Sequence, residues 1–349
     1  MLSTLSLVGS AATAAYVRAG HPPVRAIAPL AEGVWRIEDA DGRKVVVKHQ
    51  LFGRLTQGTA YDLLEVERDV LGFLHRAGCP VPAVLGIDRE AHCIFLQWVG
   101  DRTLDDAIQD GDRATTIQAI RGLCAIERAF SQRADQLEPR VVPSANRAAL
   151  AAAWDEAGER AHAGIEQLCR RLQRSLDAGL RPLLETMHDW LAARPASLGS
   201  VDYNARNAIV EPGGTRIYFL EFAKIGWDWT ERRLTQYTSS MGSGRQDGRM
   251  RSLLDAPAAH LYAEESGRSD SARALNYHRI FFLLNSAALL CAVLDGEPHA
   301  QALRQHWKRP YARLRQCAAM LSQDLSTDPS AAEFRSRLQL CLSSSGGTL

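Results

Sequence analysis

The sequence predicts an α+β chain in two lobes: a small antiparallel-sheet lobe with one main helix, then a larger and mostly helical lobe. Three observations predict it. Short apolar runs separated by turn residues occupy the chain up to Trp98; beyond Gly100 the composition shifts to Ala, Leu, Arg and Gln with helical periodicity; and that helical half is interrupted between Ser197 and Phe222 by two short apolar runs around Pro212-Gly213-Gly214. The expected divisions are a flexible segment over 1–26, a sheet lobe over 27–98 and a helical lobe over 99–349.

The opening run, Met1 to Ala15, is apolar and rich in small residues but lacks the positive start and strongly hydrophobic stretch of a secretory signal, so a loose terminus is expected. Leu30 to Glu38 reads as a strand, Asp41-Gly42 as a turn, and Val45-Val46-Val47-Lys48 as the returning strand of a hairpin. Asp62 to Ala77 sets Leu63, Val66, Val70, Leu71 and Leu74 on one helical face, with Gly78 as its stop. Pro80 and Pro82 bar helix. Val84 to Ile87 and Cys93 to Trp98 then read as two more strands about the polar turn Asp88-Arg89-Glu90. The later helices break near Pro139, Pro143 and Pro195. Ile280 to Leu294 is the most apolar stretch, yet it falls short of the ~20 residues that span a bilayer and carries Asn285. It reads as a buried core helix, with no membrane insertion expected. The Ser343 to Leu349 tail reads as unstructured.

With 349 residues, 46% hydrophobic and 23% charged, the chain has ample material for a core and is not disordered. Forty-one Lys and Arg against forty Asp and Glu leave a net charge of +1, which argues against a surface built to neutralise many nucleic-acid phosphates. The cysteines, Cys79, Cys93, Cys124, Cys169, Cys291, Cys317 and Cys341, lie scattered with no C-x-x-C spacing. They read as reduced thiols of a cytoplasmic protein and not as a zinc site.

The stretch richest in chemistry is Asp202-Tyr203-Asn204-Ala205-Arg206-Asn207, followed by Ile217-Tyr218-Phe219-Leu220-Glu221-Phe222. A carboxylate, an amide five residues on, and a second carboxylate at the end of the next strand can converge on one point. Phosphoryl transfer needs such a set: one carboxylate to orient and deprotonate an attacking hydroxyl, and hard oxygens to hold Mg²⁺ against phosphates.

Together with its surroundings this stretch resembles the aminoglycoside phosphotransferase and choline kinase branch of the protein-kinase-like fold, over roughly Pro29 to Gly242. Val45-Val46-Val47-Lys48 is similar to the strand bearing the phosphate-binding lysine, and Glu67, in Glu67-Arg68-Asp69-Val70-Leu71, resembles the helix glutamate that pairs with it. Neighbouring Glu65 is the other candidate for that place. Cys79-Pro80-Val81-Pro82-Ala83-Val84-Leu85 looks like the turn into the next strand, and Phe95 to Leu104 is similar to the hinge where backbone groups bind the adenine edge. The resemblance implies that the lobe over 27–98 binds ATP through Lys48, Glu67, Gly33, Gln97 and Val99. It further implies that a catalytic loop over 200–210 supplies Asp202 to take the acceptor's proton, and that Asn207 and Glu221, the latter on a strand over 217–222, hold Mg²⁺. The expected activity is ATP- and Mg²⁺-dependent O-phosphotransfer to a hydroxyl of a small molecule. The alternatives are transfer to a Ser or Thr of a peptide or protein, and a pseudokinase that binds nucleotide without turnover.

This chain departs from the family at three places. Glu221 stands where aspartate is usual, adding about 1.5 Å of reach. Ser200-Val201 replace the His-Gly that precedes the catalytic aspartate, and Gly33 is the one glycine of the loop over the nucleotide. Asp228 reads as an anchor for the start of a helix, and neither His49 nor His188 has a nucleophile or ligand partner in sequence. From Gln301 onward Arg304, Lys308, Arg309, Arg313, Arg315, Arg335 and Arg337 outweigh Asp324, Asp328 and Glu333, which disfavours a polycationic acceptor. Trp227, Trp229, Tyr237, Tyr277 and Trp307 offer material for an aromatic wall, although in a lobe of this size most aromatics are expected in the core.

Overall fold

A computed structural model describes residues 4–50, 61–245 and 247–343. The expected tail over 344–349 lies outside them. The N-terminal lobe is one antiparallel sheet in the order β1 (Val24–Ala31), β2 (Val34–Asp39), β3 (Lys44–His49), β5 (Cys93–Gln97), β4 (Val84–Asp88). The run read as a single strand over Leu30 to Glu38 is broken at Gly33, whose φ of +71° makes a turn between β1 and β2. Such a backbone suits glycine because a Cβ is crowded there.

Alternation in β3 sends Val45 and Val47 to one face and Val46 and Lys48 to the other. Helix α2 (Leu63–Arg76) covers the Val46 and Lys48 face, burying Leu63, Val66, Val70, Leu71 and Leu74 as its spacing predicts. Asp62 starts it by accepting the N–H groups of Leu64 at 3.0 Å and Glu65 at 3.2 Å. The opposite face carries Trp35, Ile37, Val45, Val47 and Phe95. Here the expectation of a flexible segment over 1–26 is corrected. Helix α1 (Thr4–Arg18) lays Ala12, Ala15 and Tyr16 against that face, the Tyr16 hydroxyl donates to Asp39 at 3.1 Å, and β1 begins at Val24. An apolar sheet face left to water is costly, and small alanines let a helix approach closely enough to cover it.

The C-terminal lobe holds α3 (Leu104–Asp110), α4 (Ala114–Gln132), α5 (Ala134–Leu137), α6 (Arg147–Arg171), α7 (Leu180–Ala192), α8 (Thr230–Tyr237), α9 (Ala256–Ser266), α10 (Ser271–Asp295), α11 (Gln301–His306), α12 (Pro310–Leu321) and α13 (Pro329–Ser343). The most apolar run lies in α10, which is long and apolar enough to cross a membrane yet is largely buried against its neighbours. Asn285 is satisfied there by the carbonyls of Ala157 at 3.0 Å and Phe281 at 2.8 Å.

Of the three small antiparallel units described in this helical lobe, two set the cleft floor. β7 (Ser197–Ser200) pairs with β10 (Ile225–Asp228), bringing Ser200 opposite Ile225. β6 (Arg102–Thr103), β8 (Ala208–Val210) and β9 (Ile217–Phe219) form a three-stranded patch. The lobes are joined by more than the hinge. The Tyr61 hydroxyl reaches the carbonyls of Arg140 at 3.0 Å and Ala223 at 3.2 Å, and the Phe219 N–H donates to the Pro80 carbonyl at 2.9 Å. One apolar core runs from the inner face of α2 into the helical lobe.

Candidate active site

Lys48 and Glu67 are aimed at each other by regular structure. β3 turns Lys48 toward α2, and one helical turn from Leu63 brings Glu67 round to meet it, with Nζ to Oε1 at 2.9 Å. Gln50 donates to the other Glu67 oxygen. Glu67 is only 1% exposed. Burial lifts its carboxyl above the ordinary range, against the pull of Lys48, with Glu221 adding to the rise. For Lys48 burial disfavours the ammonium, but Glu67 and Glu221 more than offset that and hold it charged. Glu65 points elsewhere, to Arg68 and Arg89, so Glu67 and not Glu65 is the partner.

The second bond of Lys48 crosses the cleft to Glu221 Oε2 at 2.7 Å. Glu221 does not belong to a strand: β9 ends at Phe219, and Glu221 follows with φ at +63°. A left-handed backbone costs an L-residue about 1–2 kcal/mol, so something must hold it. Ser200 does, its hydroxyl donating to the Glu221 carbonyl at 2.6 Å while accepting the Asp202 N–H at 3.2 Å. One hydroxyl thereby ties both carboxylate-bearing segments together. Behind it lies Arg233, 1% exposed, with its Nε on the Ser200 carbonyl at 3.0 Å, further bonds to the carbonyls of Ser197 at 3.1 Å and Gly226 at 3.0 Å, and an ion pair to Glu127 at 3.0 Å. A Cβ at position 199 would meet the guanidinium carbon at 2.7 Å, so Gly199 leaves the room it needs.

Asp202 opens to the cleft. Asn207 donates to its carbonyl at 2.9 Å and to its carboxylate at 3.0 Å, and Asn204 to the same carboxylate at 3.3 Å. The enclosing walls and the repulsion of Glu221 push the Asp202 carboxyl up, opposed by Lys48 and Lys224. The Asn207 carbonyl also accepts the Leu220 N–H at 2.8 Å, which fixes Asn207 beside Glu221.

These groups share two connected hollows. The inner one, about 280 Å³, is lined by Val34, Leu71 and Leu96 on its apolar side and by Lys48, Asn207 and Glu221 at its polar end. The outer one, about 890 Å³, carries Asp202, Asn204, Arg206 and Lys224 on its floor. With the roof a twisted five-stranded sheet, the floor a loop between short strands, and the cleft between two lobes, the architecture is settled. The fold is that of the kinase-like phosphotransferases. A choline/ethanolamine kinase family protein from Mesorhizobium loti superposes with a TM-score of 0.53 at 12% identity, covering 97% of this chain and 100% of that one. Aminoglycoside 2′-phosphotransferase-IIIa in its GDP complex gives 0.54 at 13% identity, covering 87% and 96%. No protein-family model and no curated protein matches the sequence.

Within this kinase-like cleft the structure brings Lys48, Glu67, Asp202, Asn207 and Glu221 together, and Gln97 and Val99 line the inner hollow beside Trp98. Gln97 is turned to Ala83, which it meets through its backbone N–H at 2.9 Å and its side-chain oxygen at 3.2 Å. Val99 keeps both backbone polar groups free of partners among the described residues. Gly33 lines neither hollow. Its carbonyl accepts the His49 N–H at 2.8 Å, and its neighbours Glu32 and Val34 face the cavity instead. Asp228 anchors the start of α8 as expected, accepting the Trp229 N–H at 2.8 Å. His188 stacks on Trp154 with ring centroids 5.2 Å apart.

Neither group of residues weighed for the acceptor lies in the cleft. Trp227, Trp229, Tyr237 and Tyr277 are core residues and line neither hollow. The basic residues after Gln301 are also away from the cleft: Arg313 is buried against the carbonyls of Gly242 and Gly248, and Arg335 and Arg337 pair with Asp324, Asp177 and Glu333. Sequence reading missed Ser200 as a tether, Arg233 as its support, and Lys224 as a cavity cation. Gly199 ahead of the loop was the available signal for the second.

Proposed function

We propose that this protein is an ATP- and Mg²⁺-dependent O-phosphotransferase that moves the γ-phosphoryl group to a hydroxyl of a small molecule. The observation that carries the reading is the convergence of Lys48, held between Glu67 and Glu221, with Asp202 and Asn207 on the walls of one two-chambered cleft. The inner hollow suits a flat base between Val34, Leu71 and Leu96, with the free backbone of Val99 at its edge. Lys48 serves there as a fixed positive charge for the phosphates, and the Glu67 ion pair prevents it from swinging away. Gln97 supports the strand end, and the turn at Gly33 carries Glu32 and Val34 over the opening.

Asp202 takes the acceptor's proton as the acceptor oxygen bonds to phosphorus, while the bond from phosphorus to the β-bridging oxygen breaks and the nucleoside diphosphate departs. With its amide nitrogen committed to Asp202, Asn207 offers its carbonyl oxygen to the cavity, and Glu221 offers the carboxylate oxygen that Lys48 leaves free. That hard-oxygen pair fits Mg²⁺, which supplies charge neutralisation at the phosphates. The extra methylene of Glu221 lets one carboxylate serve Lys48 and still face the cavity.

A second reading, nucleotide binding without turnover, is favoured by one observation: Glu221 already pairs with Lys48. ADP release from Mg-ATP across a panel of hydroxyl compounds separates the two. Turnover in wild type that disappears in Asp202→Asn supports the transferase. Tight nucleotide binding with no ADP release from any acceptor or water supports the second reading.

A further inference from the structure

The outer hollow holds two cations that no described side chain pairs with directly. Lys224, just past Glu221, and Arg206, in the turn before Asn207, make no ion pair and no side-chain hydrogen bond among the described residues. Nearby arginines are paired: Arg102 with Asp110 and Asp112, and Arg245 with Asp106 and Asp110. The carboxylates of the same hollow are Asp202 and Glu221, which are engaged in the site, and Glu32 on the roof turn. Lys224 lines the outer hollow alone, away from the apolar chamber, whereas Arg206 stands where the two meet. Lys224 is also close enough to Asp202 to favour its charged form. Among the described residues no Phe, Tyr or Trp lines the outer hollow, whose one ring is the imidazole of His49.

We infer that Lys224, with Arg206 beside it, binds an anionic oxygen group of the acceptor, a carboxylate or a phosphate, and so presents the acceptor's hydroxyl to Asp202. This rests on the phosphotransferase reading above and names its substrate class. Charge-assisted hydrogen bonds from Lys224 and Arg206 to an anionic group supply both affinity and orientation.

The test uses the full-length protein, Mg-ATP and four matched sets of sugars and polyols, carrying a carboxylate, a phosphate monoester, no charge or an ammonium, with ADP release as readout. Stimulation confined to the carboxylate or phosphate set is expected, and which of the two responds identifies the anion. Lys224→Glu should then raise KM for that acceptor about tenfold or more with KM for ATP unchanged, and Lys224→Arg should retain most of the wild-type value. If Lys224→Glu does not fold, the milder Lys224→Met and Lys224→Ala carry the same expectation. Preference for neutral or ammonium acceptors, an acceptor KM indifferent to Lys224, loss of ATP affinity in Lys224→Glu, or no response to either anionic set while ATP is still hydrolysed would each overturn the inference. Failure of wild type to show any nucleotide-dependent thermal shift would instead bring down the phosphotransferase reading, and this inference with it.

Discussion

The roof and the floor of the cleft are built differently. On the roof Lys48, Glu67 and Gln50 form one buried set, each bonded to another, with Lys48 also reaching across to Glu221, and Lys48 and Glu67 are aimed by a regular strand and a regular helix. On the floor Asp202, Asn207 and Glu221 sit outside strands, held by side-chain tethers from Ser200 and, behind it, Arg233, and two cations face the cavity unpaired among the described residues. On the phosphotransferase reading proposed above, the difference follows from what each side has to bind. Nucleotide phosphates are the same in every turnover, so their counter-charge can be assembled once and locked by burial. The acceptor is what distinguishes one such enzyme from another, and open charge on loops is what changes most easily without disturbing a core.

The comparison can be broken in several places. Asp202→Asn should have the largest effect, lowering kcat by about 10²- to 10⁴-fold with unfolding midpoint nearly unchanged, because the lost group is a solvent-facing base and not a packing element. Near-wild-type turnover in that variant would remove Asp202 from the mechanism. Arg233→Met should cost about 3–5 kcal/mol in urea unfolding, since it strands buried Glu127 and three carbonyls. A loss under 1 kcal/mol would show that the floor does not depend on it.

Ser200→Ala should be milder, about 1 kcal/mol in stability with a fall of about tenfold in kcat, as Glu221 loses the tether that holds its left-handed backbone. Restored activity in Ser200→Thr would confirm the hydroxyl as the active part. The smallest effect concerns pH. Asp202 must be ionised to accept a proton, and its carboxyl is raised, so the acid limb of kcat/KM should lie above that of an ordinary aspartate at about 4. Lys224→Ala removes an influence that pulls this carboxyl down, so the limb should move to higher pH. A limb that stays or moves lower contradicts the placement of Lys224 beside Asp202.

The site residues of roof and floor, Lys48 and Glu67 as well as Asp202, Asn207 and Glu221, were legible through the family resemblance, and strand alternation and helical spacing placed the sheet strands and α2; what holds the floor in place was not legible. Helix α1 was missed because its alanines and serines show no apolar stripe; what orders it is the far side of the sheet. The tether at Ser200 and the cradle of Arg233 depend on residues 21 to 106 positions apart, which no local pattern reports. The basic residues after Gln301 lie away from the cleft for the same reason: where a charge ends up is decided by packing, and Lys224, one cation in an otherwise apolar run, reaches the cavity when they do not.

The central claim, that the lobes enclose a nucleotide at Lys48 and a metal at Glu221, is tested most directly by thermal unfolding of wild type, Lys48→Ala and Glu221→Ala with Mg-ATP, ATP with EDTA, Mg-GTP or no ligand. A nucleotide at 100 times its Kd adds about 2.7 kcal/mol, a readily visible rise in midpoint. The account predicts a magnesium-dependent rise with at least one nucleotide in wild type, weakened in Lys48→Ala and stripped of its magnesium dependence in Glu221→Ala. A wild-type midpoint that moves with neither nucleotide would contradict it.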